Sequence, residues 1–229
     1  ITGLAGDDYI TGGAGDDTLD GGAGNADWAS YYDVTGSIGV TVDLGNDGVD
    51  VGAGQGADTF LNIENLRGTV NADDLTGDSG ANLFWGEDGN DTIDGAGGND
   101  ILHGSNGDDT LEGGDGADQL HGGNGDDTLD GEAGNDRLIG REGTNQLTGG
   151  AGDDTFIFGD FGATDTVTDF NTGNNKLDIS AFDFADVEAV KAASNNSGLN
   201  TTITLDDTGD TVTLLGVQKE DFVSGDFIF

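Results

Sequence analysis

Between residues 73 and 154 an acid or its amide recurs at every ninth position: Asp73, Asn82, Asp91, Asp100, Asp109, Asp118, Asp127, Asp136, Asn145 and Asp154. Carboxylates at a fixed interval repel one another if the fold brings them together. A hard cation lying between them removes the repulsion and uses their oxygens as ligands. Calcium suits such a row because it accepts six to eight oxygens in flexible geometry, from carboxylates and backbone carbonyls alike. Magnesium demands a tighter octahedron and keeps its waters. Zinc is disfavoured, since the chain has no cysteine and only two histidines, His103 and His121.

The elements that must position these acids follow from the same period. Ten nonapeptides run without insertion from Gly68 to Ile157, and units such as Gly122-Gly123-Asn124-Gly125-Asp126-Asp127-Thr128-Leu129-Asp130 fit the pattern G-G-x-G-x-D-x-U-x, with U large and apolar. The first six residues predict a tight turn and the last three a short strand, in which Leu129 faces inward while Thr128 and Asp130 face outward. One nonapeptide makes half a coil, so positions eighteen apart stack at roughly 4.8 Å, the spacing of hydrogen-bonded strands. Two inner columns result: Leu75, Ile93, Leu111, Leu129, Leu147, and Phe84, Leu102, Leu120, Leu138, Phe156. Two acid columns accompany them, Asp73 to Asn145 and Asn82 to Asp154. Their gaps imply roughly eight inter-turn cation sites, about six of them with two aspartates. Fifth-position acids such as Asp108, Asp126 and Asp153 face outward.

Outside this run the reading is coarser. Residues 1–29 hold three further repeats, which add Asp8 and Asp17, while Asp27 falls one place late. Residues 30–67 break the frame but keep a strand at 40–44, a weak repeat with Asp58 in the acid position, and inward Ile63 and Leu66. They read as a modified coil of the same solenoid. Residues 158–229 change composition and read as a β-rich cap over the terminal core. Within it, 183–193 predicts a helix with Ser180 or Asp183 as N-cap, and two strands flank a hairpin turn at Asp207-Thr208-Gly209.

Composition sets bounds. A net charge of −40, 45 glycines and 33% hydrophobic residues would normally read as disorder, but a disordered tail has no reason to place Leu, Ile or Phe every ninth residue. The acidity argues against nucleic acid and anionic membranes as partners. No run reaches membrane-spanning length, and no signal peptide is visible. The absence of Met and the start inside a repeat suggest a segment of a longer protein.

These repeats resemble the RTX (repeats-in-toxin) family, also called hemolysin-type calcium-binding repeats. The resemblance implies an all-β, right-handed parallel β-roll, with calcium between turns. It further implies carbonyl ligands at the first and third motif positions: Gly86 and Asp88, Gly95 and Gly97, Gly104 and Asn106, Gly113 and Asp115, Gly122 and Asn124, Gly131 and Ala133. The tail at 165–180 is similar to the post-roll segment of serralysin-type proteases, although Asn174-Asn175 stand where an acid is common. The ending Asp226-Phe227-Ile228-Phe229 looks like a type I secretion signal. The expectation is a calcium-binding module of a larger secreted protein, located outside the cell or on a bacterial surface, that folds in extracellular calcium, supports export through the type I machinery and stabilises an upstream domain.

No catalytic constellation is visible: no H-E-x-x-H, no G-x-S-x-G, and no G-K-[ST] after the glycine-rich turns. The outer faces differ, however. Trp85, His103 and His121 share one outward column, whereas the opposite face carries Asp94, Glu112, Asp130 and threonines. The aromatic face marks a contact with the upstream domain, a glycan or the cap. A calcium-dependent polysaccharide-binding or adhesion module is therefore the alternative reading. Ice binding through Thr92, Thr110 and Thr128 is disfavoured by the flanking acids.

Overall fold

The protein is described from a computed structural model, covering all residues except 34–35, 47–48, 52–55, 160, 171–173 and 206–208. Two ten-stranded sheets enclose the core, with a smaller three-stranded sheet of Thr18–Asp20, Gly56–Leu61 and Val49–Val51. In the repeat region every sheet contact is parallel and the register is eighteen residues. Thr92, Ile93 and Asp94 pair with Thr110, Leu111 and Glu112, and Ile101, Leu102 and His103 with Gln119, Leu120 and His121. This is the parallel β-solenoid that the nonapeptide period requires.

Leu, Ile or Phe at the eighth motif position forms the core. All ten inward residues from Leu75 to Phe156 are fully buried and belong to one cluster with Ile63 and Leu66. Each fully buried aliphatic or aromatic side chain contributes about 1.5–3 kcal/mol relative to exposure. The turns dictate glycine for a different reason. Gly116 has φ +155°, and a Cβ there would overlap the Gly98 carbonyl of the preceding turn. The second motif position is also left-handed, yet Glu87, Ala96, Ser105, Glu132 and Arg141 occupy it with φ between 63° and 89°. A non-glycine residue in that conformation costs about 1–2 kcal/mol.

The irregular segment 30–67 contributes Thr41–Asp43 to one large sheet and Asn65–Arg67 to the other. Beyond Ile157 both large sheets continue. Thr164–Val167 extends one sheet, while Lys176–Asp178 and Phe227–Ile228 extend the other. The first sheet then gains Thr211–Leu214, parallel to Thr164–Val167, and closes with two antiparallel strands, Asn200–Thr204 and Ser194–Ser197. The expected hairpin is present, but residues 207 and 208 of its turn lie outside the described residues. The expected helix spans only Val187–Ala192, and its N-cap is Asp186 rather than Ser180 or Asp183. The Asp186 side chain accepts the Ala189 amide at 3.0 Å, the N-cap contact to the third helical residue.

Candidate metal centre

The nine-residue period buries the acid of each unit at the turn-to-strand junction. From Asp73 to Asp154 the ten acid-column residues are at most 4% exposed. The two oxygens of each carboxylate have different roles. Oδ1 accepts the backbone N–H of the corresponding residue one turn earlier. Asp91 accepts from Asp73 at 2.8 Å, Asp109 from Asp91 at 2.8 Å, and Asp127 from Asp109 at 2.9 Å. In the other column Asp100 accepts from Asn82, Asp118 from Asp100, and Asp136 from Asp118.

Oδ2 is buried and has no hydrogen-bond partner at Asp27, Asp91, Asp100, Asp109, Asp118, Asp127, Asp136 and Asp154. An unsatisfied buried acceptor costs about 1–3 kcal/mol, and more when charged. The acids respond as that cost requires. Burial, reinforced by charge on neighbouring carboxylates, pushes Asp91 up to about 8 and Asp100, Asp127 and Asp136 up to about 7. Asp109 rises to about 6 through burial and the charge of Asp108. Burial also raises Asp118 and Asp154, and the amide donated to Oδ1 opposes the rise in each case.

The first-position glycines complete the arrangement. A Cβ on Gly86 would lie within 3.0 Å of both Asp91 Oδ2 and the carbonyl oxygen of Gly104, one turn on. The same holds at Gly95, Gly104, Gly113, Gly122 and Gly131, each with its own aspartate Oδ2 and the glycine carbonyl of the next turn. Each glycine thus leaves a small hollow faced by a carboxylate oxygen and a carbonyl oxygen. Among the described residues no three acids or histidines converge on one point. A cation there must draw on backbone as well as side chains, which favours a hard, oxygen-seeking ion. The residues present therefore fit calcium. The third-position carbonyls are already engaged: those of Asn106, Asp115, Asn124 and Ala133 accept the fourth-position amide of the preceding turn, leaving a second lone pair. Asp88 and Gly97 occupy the same motif position at the start of the two stacks, paired with Asn106 and Asp115.

Four copies of the RTX calcium-binding nonapeptide repeat match the chain, at residues 1–26, 67–102, 103–138 and 130–162, more than half its length. The chain belongs to the RTX calcium-binding repeat family. Its repeats bind Ca2+, and the β-roll is a structural calcium-binding module rather than a catalytic one. RTX repeat proteins are typically secreted. No curated protein is significantly similar in sequence. Among solved structures, the chain is similar to the extracellular lipase LipA of Serratia marcescens, at 18% identity and TM-score 0.36, over 76% of this chain and 44% of the lipase. It is also similar to the AlgE6R3 subunit of the Azotobacter vinelandii mannuronan C5-epimerase, at 23% identity and TM-score 0.36, over 70% of this chain and 80% of that subunit. The chain thus spans less than half of the lipase. No helix among the described residues is long and apolar enough to cross a membrane.

The RTX columns extend further than the uninterrupted repeats. Asp27, displaced in sequence, is fully buried and its Oδ1 accepts the Asp8 amide at 2.7 Å. Glu64 continues that column by accepting the Asp27 amide at 2.9 Å. At the other end Asp165 accepts from Asn145, and Asn175 accepts the Asp154 amide at 2.7 Å. The one-place shift of Asp27 is visible in the sequence, whereas frame changes hide Glu64, Asp165 and Asn175, whose spacings are 37, 20 and 21 residues.

Other expected ligands are placed differently. Asp58 is fully buried, but its oxygens accept the Asp17 amide and the Tyr31 hydroxyl. Asp73 accepts from Val40 and Thr69. Asp8 and Asp17 are only partly buried. The asparagines are satisfied without a cation: Asn82 Nδ2 donates to the Glu64 carbonyl at 2.8 Å, and Asn145 Nδ2 to Asp165 Oδ1 at 2.8 Å. The outward acids Asp108 and Asp126 are exposed and form a second ladder of opposite sense, in which Asp108 Oδ1 accepts the Asp126 amide at 3.0 Å. At the C-terminus, Asp226 caps the Val223 amide, Phe227 is buried, and Phe229 is exposed.

Proposed function

We propose that this chain is a calcium-triggered folding module of a larger exported protein. The row of buried, unpartnered Oδ2 atoms carries the reading. Without a cation these carboxylates oppose the compact roll, through desolvation and mutual repulsion. A bound calcium supplies positive charge and satisfies oxygens that nothing else in the roll reaches. Binding free energy then appears as folding free energy. The counted gaps support roughly eight ions or more, with the aspartates of successive turns and the first-position glycine carbonyls as ligands.

This coupling suits export. A chain held open at low calcium can thread through a channel and then fold outside, where millimolar calcium matches the affinity range of extracellular calcium modules. In this reading Asp226, Phe227, Ile228 and Phe229 are read by the type I secretion machinery before they become the last strand of the roll. The folded roll then supports an upstream domain.

The test is a calcium titration of the purified chain followed by far-UV circular dichroism. Strand signal should be low in chelator and rise cooperatively with calcium. Equal strand content in chelator and in millimolar calcium would refute the proposal.

A further inference from the structure

The row of orphaned carboxylate oxygens is interrupted. Among the described residues, no buried side-chain oxygen of residues 30–75 lacks a hydrogen-bond partner, against seven aspartates from residue 91 to 154. Burial does not explain the difference, because Asp58 and Asp73 are 0% and 4% exposed. Their partners do. Asp58 Oδ1 accepts the Asp17 amide at 2.9 Å, as a column acid should, but its Oδ2 accepts the Tyr31 hydroxyl, also at 2.9 Å. Asp73 Oδ1 accepts the Val40 amide at 2.7 Å and the Thr69 hydroxyl at 3.0 Å, and its Oδ2 accepts the Thr69 amide at 2.6 Å.

Both acids stand where the stack breaks. Thr18, Leu19 and Asp20 pair in parallel with Thr59, Phe60 and Leu61, but on its other edge Gly56–Leu61 pairs antiparallel with Val49–Val51. Among the described residues, no parallel turn therefore follows Asp58 to bring the carbonyl oxygen that faces the repeat carboxylates. A cation at Asp58 would lack that half of its cage. Asp73 opens the next ladder, and the amide it receives belongs to Val40 rather than to another acid. Tyr31 is fixed by the core. Its amide donates to the Arg67 carbonyl at 2.9 Å, and its side chain is 1% exposed in one cluster with Leu19, Val42, Phe60 and Leu66. A phenol buried this deeply needs an acceptor for its hydroxyl, and Asp58 Oδ2 supplies it.

We propose that Tyr31 at Asp58, and Thr69 at Asp73, take the place of calcium, so that residues 30–75 form a calcium-independent block within a calcium-dependent roll. Asp58 carries no ion. The block has its own buried residues, Tyr31, Val40, Val42, Phe60, Ile63, Leu66 and Leu75, and contacts far apart in sequence, 27 residues for Tyr31 with Asp58 and 33 for Val40 with Asp73. Its acids are satisfied by donors that the fold itself supplies, so removal of calcium orphans none of them. The contrast presupposes that the repeats need calcium, and in that respect the proposal rests on the folding-module reading.

The experiment is hydrogen–deuterium exchange of the full chain, read by peptide mass spectrometry in chelator and in calcium. In chelator, amides of Thr41–Asp43, Gly56–Leu61 and Asn65–Arg67 should exchange about tenfold or more slower than those of Thr92–Asp94, Thr110–Glu112 and Thr128–Asp130. In calcium both sets should be protected. Tyr31→Phe keeps the buried ring and removes the hydroxyl. Exchange of Gly56–Leu61 in chelator should then quicken about tenfold, while the calcium midpoint of the repeats, followed by circular dichroism, stays unchanged. Native mass spectrometry at sub-saturating calcium counts the ions: Asp58→Asn should carry as many as the parent, and Asp127→Asn fewer. The proposal is overturned if the two sets exchange alike in chelator while the repeats are open, if Tyr31→Phe leaves exchange unchanged, or if Asp58→Asn carries fewer ions. Repeats protected in chelator would instead overturn the folding-module reading, and the Tyr31→Phe comparison and the ion count would still decide this one.

Discussion

Replacing Asp109 by asparagine should move stability in opposite directions with and without calcium. The substitution keeps an Oδ1 to accept the Asp91 amide, now at 2.8 Å, but replaces the buried, unpartnered Oδ2 with an NH2 donor. The native columns show what becomes of such a donor. Asn82 Nδ2 reaches a backbone carbonyl of the preceding turn at 2.8 Å, and Asn145 Nδ2 lies 3.4 Å from the Arg141 carbonyl, four residues back. The equivalent carbonyl for residue 109 belongs to Ser105. Relief of one unsatisfied buried acceptor is worth about 1–3 kcal/mol. In chelator the variant should therefore fold more readily than the parent by about that amount. In calcium it lacks a charged ligand, and a tenfold weaker site costs ~1.4 kcal/mol. The assay is osmolyte-induced folding in chelator, followed by circular dichroism, beside calcium titration midpoints in plain buffer. Asp108→Asn, which removes an exposed charge and keeps its Oδ1, is the control and should change stability by less than about 0.5 kcal/mol. A variant that folds less readily in chelator, or shows an unchanged calcium midpoint, would refute the assignment of Oδ2 as the cation ligand.

Other expectations rest on separate features. The column acids have folded values near 6 to 8, above about 3.9 in the unfolded chain. Their protonation therefore stabilises the calcium-free roll fully below about pH 4, and that stabilisation is lost as pH rises through 6 to 8. Chelated protein should gain strand signal as pH falls from about 8 to 5, while the calcium midpoint rises because protons compete for Oδ2; a loss of strand signal would contradict this. Gly104→Ala places a Cβ against Asp109 Oδ2 and 2.8 Å from the Gly122 carbonyl, so it should raise the calcium midpoint. Gly36→Ala, whose Cβ meets only one atom at 4.0 Å, should not. Leu120→Ala empties a fully buried position and should cost about 2–5 kcal/mol in calcium, read from urea unfolding. Asp165→Ala removes the acceptor for the Asn145 amide and side chain, and should cost about 1–3 kcal/mol by the same assay.

The repeats were legible because one interval fixes everything in them. Eighteen-residue stacking follows from a nine-residue half-turn, and it places Leu102 beside Leu120 and Asp109 beside Asp127 without further information. Where loops alter the interval, arithmetic fails although the geometry persists. Asp27, Glu64, Asp165 and Asn175 occupy acid-column positions because strand pairing, not sequence spacing, sets their neighbours. The division of labour between Oδ1 and Oδ2 was invisible for another reason. Composition shows that a carboxylate is present but not which of its oxygens the backbone already occupies. The cap helix was misjudged at its start because Ser180, Asp183 and Asp186 are all plausible caps, and Ser180 is instead held by Asp178.

The buried acid ladder has a direction. Each amide donates to a side chain that belongs to the following turn, so a turn supplies the acceptor for its N-terminal neighbour and depends on its C-terminal neighbour for its own. The outer ladder runs the other way, but its donors face water and lose little when unpaired. Growth of the roll is thus asymmetric. A turn joining at the N-terminal end finds an acceptor already in place, whereas one joining at the C-terminal end must bring its own. Asp165 and Asn175 are the first acceptors in that order. Folding that proceeds from the segment after the repeats toward the beginning of the chain would find each acceptor already in place.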